Sequence, residues 1–114
     1  MYILIKNNYS TLKADVKKKI EAKEIITWEF VVEEERSRLM HTGSDRQFDD
    51  VLLRFVTSHI DGQECLKIVP RVKIGLTGSD KTEAESHLGL VLGRFAELLN
   101  CHFTEINSYE TILQ

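Results

Sequence analysis

The stretch from Val51 to Ile74 limits the fold of this chain more than any other. Asp61-Gly62 lies between two runs rich in β-formers, and Asp-Gly makes a two-residue turn whose left-handed dihedrals match the twist of paired strands. Such a turn also sets the register, so Ile60 faces Gln63 and each step outward pairs one residue from either arm. Thr57 then opposes Leu66, Phe55 opposes Ile68, Leu53 opposes Pro70 and Val51 opposes Val72, all on one face because side chains alternate. The other face pairs Ser58 with Cys65, Val56 with Lys67, Arg54 with Val69 and Leu52 with Arg71. One face is apolar. The other is mixed and carries three cations.

The rest of the composition is ordinary. A chain of 114 residues suits a single domain, residues 1–114, with one core. Hydrophobic and charged fractions of 42% and 29% are those of a soluble globular protein. Acidic residues outnumber basic ones, 18 to 15, for a net charge of −3, which argues against a nucleic-acid partner. Cys65 and Cys101 have no framework spacing, and no signal peptide precedes them, so reduced thiols in the cytoplasm are expected. No apolar run is long enough to cross a bilayer, so no membrane association is expected.

Tyr2 to Lys6 reads as a short strand. Asn7-Asn8-Tyr9-Ser10-Thr11 is turn and cap chemistry, with Ser10 or Thr11 as the N-cap. The helix that follows carries a narrow stripe of Leu12, Val16 and Ile20, with Lys13, Lys17, Lys18, Lys19 and Lys23 around it, the pattern of a helix resting on a sheet. Glu24 to Val32 alternates, sending Ile26, Trp28, Phe30 and Val32 one way and Thr27, Glu29 and Val31 the other. Between Glu33 and Arg38 the pattern breaks before resuming at Leu39 to Thr42. Without Gly, Pro or Asn to mark a turn, one long bulged strand is favoured over two strands joined by a charged turn. Pro70 cannot donate to a ladder, which points to an edge strand or to a nitrogen facing away from its neighbour. Asp80 and Glu83 have capping-box spacing, and a helix is expected from about Lys81 to Leu99. Its stripe of Ala84, Leu88, Val91, Leu92, Phe95, Leu98 and Leu99 is broad. Gly89 and Gly93 inside it imply close approach by a strand, a second helix or another subunit. Cys101 to Asn107 is the candidate last strand. The order β-α-β-(β)-β-β-α-β gives an α+β fold, a two-layer sandwich with a mainly antiparallel sheet and two helices packed on one face.

Catalytic and ligand motifs do not assemble. Gly75, Gly78, Lys81 and Thr82 lie in strand-loop-helix order but lack P-loop spacing, and Asp80 at the helix start would repel an anion. His41, His59, His87 and His102 are scattered without metal-ligand spacing, and the sequence names no base for Cys65. No cofactor and no metal are expected. Glu64 and Lys67, three apart on a strand, point to opposite faces. The lysine-rich first helix lacks the interleaved aromatics of a nucleic-acid surface.

The open face of the sheet is the strongest candidate, because charges of both signs mixed with Val and Leu make a protein-binding surface. Its expected contact residues are Glu29, Glu33, Glu35, Arg54, Lys67 and Arg71, with Asp45 and Asp49 from the adjoining acidic loop. The expected function is that of a small non-enzymatic cytosolic binding protein whose partner is another protein. In size and charge the chain resembles the small acidic immunity proteins and antitoxins of bacteria. That resemblance implies a partner such as a basic toxin or nuclease, covered at its active site. Two alternatives stay open. A small enzyme would need His41, Glu33, Asp45, Asp49 and Asp50 to converge on one cleft. A structural homodimer would meet through Gly89 and Gly93.

Overall fold

Asp61 and Gly62 both take left-handed backbone angles, with φ of 53° and 77°, and the ladder that they close has the register the turn dictates. In the computed structural model, which describes residues 1–6, 9–106 and 109–113, β4 (Val51–Ile60) pairs with β5 (Gln63–Val72) along its whole length, from Ile60 against Gln63 to Val51 against Val72. The other elements are β1 (Tyr2–Ile5), α1 (Leu12–Glu21), β2 (Trp28–Glu33), β3 (Arg36–His41), the short α2 (Gly43–Arg46), α3 (Gly78–His102) and β6 (Glu110–Ile112). All six strands form one antiparallel sheet in the order β2-β3-β4-β5-β1-β6. Helices α1 and α3 cover one face, as expected from their apolar stripes.

One continuous core lies beneath them. It joins Leu12 and Val16 of α1 and Val91, Leu92, Phe95, Leu98 and Leu99 of α3 to Ile3, Ile5, Trp28, Leu39, Val51, Leu53, Leu66 and Ile68 of the sheet. Phe95, fully buried, meets the rings of Trp28 and Phe55 edge-on, each with a centroid separation of 5.8 Å. Edge-to-face packing of this kind adds to simple area burial. It fixes α3 across β2 and β4 at once.

Several local expectations give way to tertiary packing. Residues 33–42 are not one bulged strand: β2 and β3 form a second hairpin, from Trp28 against His41 to Glu33 against Arg36. Its turn is Glu34-Glu35, both left-handed at φ of 49° and 63°. Neither residue favours that region, at a cost of roughly 1 kcal/mol or more each, and burial of Trp28 and Leu39 on the flanking strands offsets it. Pro70 is not on an edge strand, since β5 lies between β4 and β1. Pairing of β1 ends at Ile3 and Ile68, so Pro70 lies beyond it with only β4 alongside. Ile26 and Val32 do not join the inward set; each is 78% exposed, and Ile25 is buried in place of Ile26.

The second helix starts at Gly78 after an N-cap at Thr77, which makes no side-chain cap bond, so Asp80 sits in the first turn instead of capping. A carboxylate there still complements the helix dipole. The helix also overruns Leu99 and ends at His102, where the N–H of Phe103 bonds to the Leu99 carbonyl and the Phe103 ring is buried. Burying that ring outweighs strand propensity, so no strand forms over Cys101 to Ile106, and Asn107, like Asn7 and Asn8, lies outside the described residues. The sixth strand comes instead from the tail, with Ile112 against Tyr2. On α1, Thr11 occupies the N-cap and its hydroxyl bonds to Asp15, not to a backbone amide.

The two helix glycines are not explained by contact within the chain. A Cβ at Gly89 would reach only the Met1 methyl, at 4.0 Å, and one at Gly93 would meet nothing within 4 Å. Gly93→Ala should therefore stabilise the fold by about 1 kcal/mol through helix propensity alone. Phe95→Ala should cost about 3–5 kcal/mol. Urea denaturation of the two variants, followed through Trp28 fluorescence, checks both signs.

Candidate functional site

The helix-free face is set by parity. Strand residues that share a rung share a face, so Glu29, Val31 and Glu33 of β2 lie with Arg36, Arg38 and Met40 of β3. They continue through Leu52, Arg54 and Val56 of β4 to Lys67, Val69 and Arg71 of β5. This face is not simply open. Met40 and Leu52, a cross-strand pair, are 3% and 2% exposed although they lie outside the core beneath the helices.

The second hairpin does not stay in the plane of the sheet. Only Leu39 and Met40 of β3 pair with β4, so beyond them the distal part of the hairpin separates from the sheet. Near its tip, Glu33 accepts a 3.0 Å hydrogen bond from the backbone N–H of Ile74, just past β5. In a flat sheet of ordinary strand spacing and rise these groups would stand more than about 20 Å apart. The hairpin therefore bends over the face, giving a shallow trough floored by Met40 and Leu52.

Four arginines line the trough. Arg38 lies one residue beyond the last β3–β4 pair, with Arg54, Arg36 and Arg71 all close enough to act on it electrostatically. Among the described residues none of the four makes an ion pair. Arg38 is half-buried, and its Nε is inaccessible and without a partner. Burial, reinforced by Arg54, Arg36 and Arg71 and opposed by Glu33, holds its guanidinium below the usual arginine value. Like charges held this near one another repel. The trough is thus a concentration of unneutralised guanidinium groups, each a planar fork suited to carboxylate or phosphate.

Sequence reasoning found Arg54 and Arg71 of this group and missed Arg36 and Arg38, because their parity depends on the turn at Glu34-Glu35. The signal was present: arginines two apart at Arg36 and Arg38 belong to one face once β3 begins after the turn. The carboxylates expected beside them have their own engagements. Glu29 pairs with Arg46 at 3.3 Å, and Glu33 holds Ile74. Glu35 is exposed at the hairpin turn. Asp45, in α2, and Asp49, in the turn before β4, do not figure among the charges acting on Arg38. Lys67 sits over the Tyr2 ring, 4.6 Å from its centroid.

A second concavity, of about 370 Å³, opens beside the end of β3, lined by Trp28, His41, Arg94, Glu97, Cys101 and His102 among others. His41 is 6% exposed, its Nδ1 has no partner, and its ring meets Trp28 edge-on with centroids 4.8 Å apart. Gly43 makes room for it, since a Cβ there would lie 2.8 Å from His41 Cε1. Of the five groups that a carboxylate–histidine enzyme would need, only His41 lines this cleft. Glu33 is in the trough, and Asp50 is bound to His87 of α3 at 3.1 Å. The five do not converge. Among the described residues no group of three or more His, Cys, Asp or Glu side chains is gathered closely enough to hold a metal ion, and both cysteines are free.

Burial, aided by Arg94 and opposed by Glu97, pushes His41 below its ordinary value of 6.5. The unfolded chain therefore takes up a proton near pH 6.5 that the folded one refuses, so this contribution to stability is complete above that value and fades as the pH falls through it. An NMR titration of the His41 ring should give a midpoint below 6.5. The decline in Tm from neutral to mildly acidic pH should be shallower in His41→Gln than in the parent.

Compared with known protein families, curated proteins and solved structures, the chain matches none.

Proposed function

We propose that this chain is a non-enzymatic, cytosolic protein-binding domain whose working surface is the helix-free face of the sheet. One observation carries the proposal: Arg36, Arg38, Arg54 and Arg71 share that face with no carboxylate partner among the described residues. A monomer gains nothing from such repulsion, whereas arginine in a partly desolvated setting over an apolar floor is a characteristic anchor of protein interfaces. A narrower version makes the chain an immunity- or antitoxin-type inhibitor that covers a toxin or nuclease. A basic partner of that kind would meet the acidic margin at Glu29, Glu33 and the Glu34-Glu35 turn. A homodimer through α3 is the competing geometry, supported by Leu90, 56% exposed on the same helix as the uncrowded Gly93.

Affinity capture from the native lysate, with size-exclusion chromatography of the purified chain, tests these alternatives together. The expected outcome is one stoichiometric protein partner whose binding weakens by about tenfold or more in Arg54→Glu or Glu33→Lys, as expected for disrupted charge contacts. Amide NMR spectra should show both variants folded. If neither change affects any complex, the face is not the binding surface. A dimer abolished by Gly93→Leu would favour α3 instead.

A further inference from the structure

Resting on that proposal, we infer that the arginine trough is an anion-recognition site, and that its occupant is a carboxylate-rich segment of the protein partner. The geometry of the cluster carries this. Arg36, Arg38, Arg54 and Arg71 share one face, the other three act on Arg38, and among the described residues Glu33 is the carboxylate that offsets the charge there. That carboxylate already accepts from the Ile74 amide. The other charged groups of the face are spoken for, Glu29 by Arg46 and Lys67 by the Tyr2 ring. Arg38 Nε, buried and unpartnered, is a donor whose hydrogen bond is unmade in the free protein. An arriving carboxylate would relieve the mutual repulsion and give neighbouring forks a shared acceptor.

The surroundings choose between the two abundant sources of such anions. A nucleic-acid strand would run across the sheet, yet Glu33, Glu34 and Glu35 stand at the β2 margin without an ion pair among the described residues. A strand would also need bases to stack. Among the described strand residues of this face the only aromatic is Tyr2, already covered by Lys67. A positive centre beside an acidic β2 margin fits a localised anion, such as two or three glutamate or aspartate side chains.

The test is a calorimetric and NMR titration of the full chain with hexaglutamate, a twelve-residue oligothymidylate and hexalysine. Hexaglutamate should bind, lose affinity as salt is raised, and shift the side-chain Nε resonance of Arg38. Arg38→Gln and Arg54→Gln should each weaken it about tenfold or more, as for a lost charge-assisted hydrogen bond. Arg38→Lys should rescue only in part, because it keeps the charge without the fork. Lys18→Gln should leave binding unchanged, since Lys18 is exposed on α1, one of the helices that cover the opposite face. No binding of hexaglutamate, or binding indifferent to both arginine variants, overturns the inference. Tighter binding of the oligothymidylate overturns it in favour of a phosphate backbone. The two proposals fail separately. A captured protein lost on Arg54→Glu but not displaced by hexaglutamate sinks the carboxylate assignment alone. Hexaglutamate binding with no protein partner sinks the binding-domain proposal and leaves the anion site standing.

Discussion

Everything in this molecule is hung on the β4–β5 ladder. Its two ten-residue strands are closed by a turn whose backbone angles favour one register, and that register sorts every side chain between two faces. Shifted by one residue against β4, β5 would send Leu66 and Ile68 to the arginine side and lift Lys67 and Arg71 toward α3. The aromatic contacts of Phe95 with Trp28 and Phe55 depend on that sorting too, because they need β2 and β4 to present rings to the same helix. The helices therefore read out the register of the sheet. They do not set it.

The other side of the same sheet follows a different logic. Beneath the helices, burial is achieved by ordinary close packing. On the opposite face Met40 and Leu52 are buried outside the core beneath α1 and α3, on the face over which the second hairpin bends. Four arginines share that face without an ion pair among the described residues. On the reading proposed above, stability is given up there in favour of an anion-binding surface.

How much of this the sequence disclosed depends on which physical term dominated locally. The β4–β5 hairpin was fully legible because turn chemistry and alternation agreed. The α+β layering followed from helix stripes of the right width. Legibility failed where burial overruled local preference. Glu34 and Glu35 take left-handed angles without any residue to announce them, and Phe103 draws α3 past its expected end. The tail supplies a strand too short to leave a pattern. The proposed binding surface is half-legible for the same reason: Arg54 and Arg71 lie on the legible hairpin, while Arg36 and Arg38 lie on a strand whose start depends on the Glu34-Glu35 turn. His41 reads in the sequence as one of four scattered histidines and as a member of a carboxylate cleft, whereas the cleft it lines is assembled from three separate parts of the chain.

The place of β1 has a consequence for the order in which the chain can assemble. Both hairpins are local and closed by two-residue turns, so each can form from neighbouring residues soon after they meet. Strand β1 has no such neighbour, for it pairs on one side with β5, Ile3 against Ile68, and on the other with β6, Tyr2 against Ile112. Ile3, Leu4 and Ile5 are made before β5 and β6, so β1 waits for both of its partner strands. The β6 strand pairs with β1 alone, so it can dock only once β1 is in place.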